Sequence, residues 1–145
     1  MLCVNNYSQE YIDKWRLRVA EQVSACQTLV VTVRNQTSSD EPLLNAAIDA
    51  FEPHFFNHMV LALDGYFVHR ASAIEKKDRN PLNEVRLLCN SMMNNNNMMC
   101  ADKTIKFDPA KSVLKYRVGD EIKLNEADFI LLSSAFLAEV ERKYL

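Results

Sequence analysis

The chain has 145 residues, 48% of them apolar and 25% charged, which is the composition of one compact globular domain and excludes a disordered or collagen-like chain. A net charge of -2 excludes a strongly basic protein that coats nucleic acid, while a local basic patch stays open. Two glycines, Gly65 and Gly119, are too few for a turn-rich β-sandwich and exclude a glycine-rich phosphate loop.

From Ser8 to Asn35, Tyr11, Trp15, Val19, Val23, Cys26, Val30 and Val33 recur at steps of three and four. That is one apolar stripe on a helix, with Ser8 as its N-cap. A polar loop comes next, and Asp40-Glu41-Pro42 is a helix start with Asp40 as cap. Leu43, Leu44, Ala47, Ile48 and Phe51 face inward, and Pro53 predicts a kink or a new start near Glu52. Phe55, Phe56, Met59, Val60, Leu63, Phe67 and Ile74 then carry a long central helix to about Lys76. Asn80-Pro81 opens a third helix that the run Asn94-Asn95-Asn96-Asn97 closes, because Asn tolerates the left-handed conformation. Between 104 and 124 the period changes from 3.6 to 2, which predicts two or three short strands in a hairpin-like flap. Asn125-Glu126-Ala127-Asp128 caps a last helix carrying Phe129, Leu132, Phe136 and Val140 inward. The expected fold is therefore mainly all-α. It is a single domain, 1–145, with helices near 8–35, 41–76, 81–94 and 126–144, and a small β insertion before the last.

Several polar residues interrupt these apolar faces. His54, His58 and His69 return to one face of a helix. They make either a metal-binding or acid-base stripe, or histidines satisfied by hydrogen bonds; no third ligand stands nearby, and no metal or cofactor is expected. Asn57, Asp64 and Arg70 lie in the most apolar helix and need partners when buried, in an inter-helix network, a dimer seam or a binding site. Glu84 and Arg86 share one helical turn and are placed to pair with Asp64, His69 or Arg70, for which an internal salt-bridge network is preferred to catalysis. Lys76, Lys77 and Arg79 form a charged turn that either contacts phosphate or is simply solvated. Cys3, Cys26, Cys89 and Cys100 contain no Cys-x-x-Cys pair and read as free thiols, with Cys26 and Cys89 as small buried hydrophobes. No run reaches the roughly 18 apolar residues of a membrane span, and the polar opening predicts no signal peptide.

The helix end Asn90-Ser91-Met92-Met93-Asn94-Asn95-Asn96-Asn97 resembles that of HEPN (higher eukaryote and prokaryote nucleotide-binding) domains, where a helix ends in Arg-Asn-x-x-x-His. The C-terminal remainder is also similar to one branch of that group: a short strand, Tyr116-Arg117-Val118-Gly119-Asp120-Glu121-Ile122-Lys123-Leu124-Asn125-Glu126, and a last helix. The resemblance covers about residues 83–145. It implies a helical fold, and for active members a metal-independent RNase that uses Arg and His across a dimer. In this chain Asn90 matches the residue after the Arg, Cys89 stands at the Arg position, and Asn94 stands at the His position. The amide of Asn does not titrate and cannot serve as general acid or base.

The function expected is a cytoplasmic, homodimeric HEPN-like binding or regulatory module without catalysis. Its partner would be RNA or a protein in a toxin-antitoxin, defence or stress system, with no membrane and no DNA. The alternatives are an RNase with a site rebuilt from Arg86, Asn90, Asn94 and His58 or His69, and a purely structural interaction protein.

Overall fold

The computed structural model describes residues 3–36 and 41–145. Among these residues five helices occur in order: α1 (Gln9–Gln36), α2 (Pro42–Tyr66), α3 (Ser72–Glu75), α4 (Pro81–Asn94) and α5 (Glu126–Tyr144). The all-α bundle is as expected. α5 packs against α4, α2 and α1, so the other helices close around it.

Local chemistry sets the helix ends. The Ser8 hydroxyl accepts the Tyr11 N–H at 3.1 Å and opens α1. Asn80 accepts the Asn83 N–H at 3.0 Å with Pro81 at the first helical position, which opens α4. At α5, Asn125 and Asp128 exchange side-chain-to-backbone bonds of 2.8 and 3.2 Å in a complete capping box. The cap expected at Asp40 lies outside the described residues; Glu41 occupies the cap position, with Pro42 opening α2. Asn96 and Asn97 take φ of 53° and 62° after α4, the left-handed exit expected of this asparagine run.

The central helix departs from expectation at its end. α2 runs through Pro53 without a new start, because the ring removes one backbone donor while Phe56, Met59, Val60 and Leu63 stay anchored in the core. It stops at Tyr66 rather than near Lys76. His69 turns to φ 61°, and the chain then pairs with the N-terminal segment: Val4 N–H donates to His69 O and Ala71 N–H to Val4 O, both at 2.8 Å. A parallel bridge joins Val4 to Arg70. Burial of Arg70 draws the chain out of helical register, and α3 is a single turn after it.

The β insertion is also corrected. No strand forms among the described residues; the region carries two isolated antiparallel bridges, Met98 with Glu121 and Asp102 with Ile105. The alternating apolar residues do not pair with each other. Met99, Ile122 and Leu124 are instead buried in the helical core, and Phe107, Val113, Leu114 and Tyr116 pack at its rim. Side chains with a period of two satisfy a helical surface here, with no second strand.

The core lies where α2, α4 and α5 meet, with Phe56, Leu63, Phe67, Leu88, Phe129 and Phe136 fully enclosed. The far ends of α1 and α2 are less covered: Leu29 is 57% and Leu43 80% exposed.

Candidate functional site

The most concentrated charge inside the molecule is built around Arg70, whose side chain is 1% exposed. Its guanidinium bonds Asp64 at 3.0 Å, Glu75 at 2.9 Å and the Phe67 carbonyl at 3.1 Å. It also stands 5.3 Å over the Phe136 ring. Glu75 bridges on to Arg86 at 2.8 Å. Burial alone pushes the Arg70 guanidinium down, but Asp64 and Glu75 outweigh it and hold the group above its ordinary range. Lys143 donates to the Glu75 carbonyl at 2.6 Å and to Asp78 at 3.1 Å, fixing α5 to the same cluster. An internal salt-bridge network is present, but Arg86 joins it through Glu75 and not by pairing with Asp64, His69 or Arg70. His69 takes no part: it is exposed and uses its carbonyl on Val4.

Glu75 is the residue that sequence reasoning missed. It lies where the central helix was expected to continue, so nothing marked it for burial. Three carboxylates, Glu75, Asp78 and Glu84, lie between Arg70 and Arg86, and spacing alone does not single out the one that bridges the two arginines.

Two other polar residues hold the 95–125 loop. Asn57 on α2 donates to the Ile122 carbonyl at 2.9 Å and accepts the Leu124 N–H at 3.1 Å, acting as a strand edge supplied by a side chain. Glu84 on α4 accepts N–H bonds from Val113 at 2.7 Å and Leu114 at 3.0 Å. Burial pushes the Glu84 carboxyl above its ordinary range, and these two bonds oppose that only in part. Glu84 does not meet Asp64, His69 or Arg70 in an ion pair among the described residues; its partners are backbone.

Arg86, Asn90 and Asn94 line one edge of α4 at steps of four. Arg86 is held by Glu75, and Asn94 donates to the Asn90 side chain at 2.8 Å. Asn90 also reaches Cys100 Sγ at 3.8 Å. Among the described residues no hydrogen bond joins His58 or His69 to this edge. His58 stays on α2 with Nδ1 2.7 Å from the His54 carbonyl, and the break after Tyr66 takes His69 off the helix, so the three-histidine stripe does not form. Cys89 faces the core, its thiol 3.7 Å from the Val60 carbonyl and pushed up to about 12 by burial. The position that the resemblance gives to arginine is therefore an interior one here. Cys26 is buried too, and all four cysteines are free thiols.

Between α1 and α5 runs an apolar groove of about 370 Å³, walled by Val19, Val23, Ile130 and Leu137 with Arg16 and Gln27 at its rim. No helix among the described residues is long and apolar enough to cross a membrane. Comparison with protein-family models, curated proteins and solved structures finds no match to this chain.

Proposed function

We propose that this chain is a HEPN-like binding or regulatory module that acts without catalysis, as a cytoplasmic homodimer, linked to RNA or to a toxin-antitoxin, defence or stress system. The observation that carries the reading is the state of Arg86. Phosphodiester cleavage needs a cation free to face phosphate and a titrating group beside it. Arg86 is committed to Glu75 at 2.8 Å, and its neighbours on the same edge are amides bonded to each other. The buried Asn57, Arg70 and Glu84 and the partly buried Asp64 spend these hydrogen bonds on holding the fold.

The surface that would form the homodimer lies on α1 and α5. The inner half of α2 is covered within the chain, whereas Leu17 and Val31 on α1 and Ile130 and Leu131 on α5 are exposed, and Ile130 also walls the apolar groove. Purified protein is expected to leave a mixed-sequence RNA intact over hours and to scatter light as a dimer at micromolar concentration. Cleavage that is lost in His58→Ala, His69→Ala or Arg86→Ala would establish the rebuilt RNase site instead. A monomer, or a dimer indifferent to Leu17→Glu and Ile130→Glu, would remove the α1–α5 surface.

A further inference from the structure

We propose that the turn at 76–79 and the loop at 102–115 form one basic surface that docks the phosphodiester backbone of a nucleic acid. Seven of the seventeen Lys and Arg residues lie in these two short stretches, with three of the nineteen carboxylates. The stretches thus carry a formal charge of +4, and the remainder of the chain carries -6. All seven cations are exposed, and none enters an ion pair among the described residues. The carboxylates are engaged locally: Asp78 with Lys143 at 3.1 Å, Asp102 with Thr104 at 2.7 Å, and Asp108 with the Ala110 N–H at 3.1 Å.

The fold brings the two stretches side by side. Arg79 and Lys106 border one small cleft beside Asn83 and Asp108. Lys77 is near enough to Asp102 to act on it electrostatically. Glu84 clamps Val113 and Leu114 against α4, which sets Lys115 next to the same helix.

A second, independent observation is the backbone beneath three of these cations. Lys76, Arg79 and Lys115 have φ of 60°, 66° and 62°. Lys76 combines this with ψ 172°, a region that is essentially reserved for glycine. Glycine at these positions would relieve strain. Long, exposed cationic side chains stand there instead, with the Lys115 ammonium donating to the Ala110 carbonyl of its own loop at 3.1 Å.

The chemistry favours phosphate over an acidic protein. Protein interfaces are depleted in lysine and built around aromatic anchors, whereas Lys and Arg dominate the electrostatic contacts to a phosphate backbone. The nearby aromatics, Phe107 and Tyr116, are packed onto the core rather than displayed for base stacking. Binding should therefore be independent of sequence and steeply sensitive to salt. The proposal deepens the binding-module reading and rests on it only for a nucleic acid as the partner; whether the chain cleaves RNA or dimerises does not enter the measurement.

The test is fluorescence anisotropy of the full chain with labelled single- and double-stranded RNA and DNA, in EDTA, from 50 to 200 mM salt. A triple variant, Lys76→Gly/Arg79→Gly/Lys115→Gly, is measured beside it. The variant should melt at the same temperature or higher, bind at least tenfold more weakly at 50 mM salt, and show a salt slope smaller by about three. The pair Lys106→Gln/Lys111→Gln, which leaves the backbone unchanged, should weaken binding in the same direction. The strand type bound most tightly identifies the source of the phosphodiester. The proposal fails if no strand binds at 50 mM salt, if a folded variant binds as the parent does, or if polyglutamate of equal charge competes as well as RNA.

Discussion

The Glu84 carboxylate accepts the Val113 N–H at 2.7 Å across twenty-nine residues of chain, and the neighbouring Leu114 N–H at 3.0 Å. One buried side chain thereby serves as the hydrogen-bonding edge that a strand would have provided. Glu84→Ala leaves two partly buried donors unpaired and should cost about 3 kcal/mol. Amide exchange at Val113 and Leu114 should accelerate in that variant before exchange in α4 does.

The same residue gives a pH dependence of defined sign. Its carboxyl is raised in the folded state by burial, so the folded chain holds the proton more tightly than the unfolded one. The contribution of Glu84 is thus fullest below the unfolded value near about 4.3 and declines as pH rises through the raised folded value. Urea midpoints of the parent minus those of Glu84→Gln should fall with increasing pH over that window. A rising difference would contradict the burial argument.

Arg70 and Arg86 share Glu75 but should not be equivalent. Arg70→Ala takes the buried cation from between Glu75, which keeps only the half-exposed Arg86, and the partly buried Asp64, and should cost about 3 kcal/mol. Arg86 has a side chain 44% exposed, and Arg86→Ala leaves Glu75 with Arg70, so about 1 kcal/mol or less is expected. Equilibrium denaturation of the two single variants checks the ratio.

Thiol reactivity should separate the cysteines. Cys3 is exposed, and burial pushes Cys89 up to about 12. Iodoacetamide at pH 7.5 should modify Cys3 in the native protein and reach Cys89 only after denaturant is added, as peptide mass mapping would show.

The α5 cap is a local test. Asn125→Ala removes the acceptor for Asp128 N–H and should cost about 1 kcal/mol. Because α5 contacts α4, α2 and α1, that loss should appear as a lower global midpoint and not as local fraying.

Helices, caps and the all-α class were legible from the sequence, because spacing and capping chemistry act over a few residues. Ser8, Asn80 and Asn125 each do what their position suggests. Polar residues in apolar helices signalled correctly that partners exist, but not which ones. Asn57 and Glu84 look alike in sequence to residues lining a site, and in the fold they hold a loop.

What the tertiary structure alone decided comes from long-range competition. The central helix ends at Tyr66 because Val4, more than sixty residues away, pairs with the chain at His69 and Ala71 while Arg70 turns inward to Asp64 and Glu75. The alternating 104–124 segment forms no strand because its apolar side chains are covered by helices and its backbone donors by Glu84 and Asn57. A period of two specifies that every other residue be buried. The surface that buries them is set by packing between distant parts of the chain, on which local periodicity carries no information.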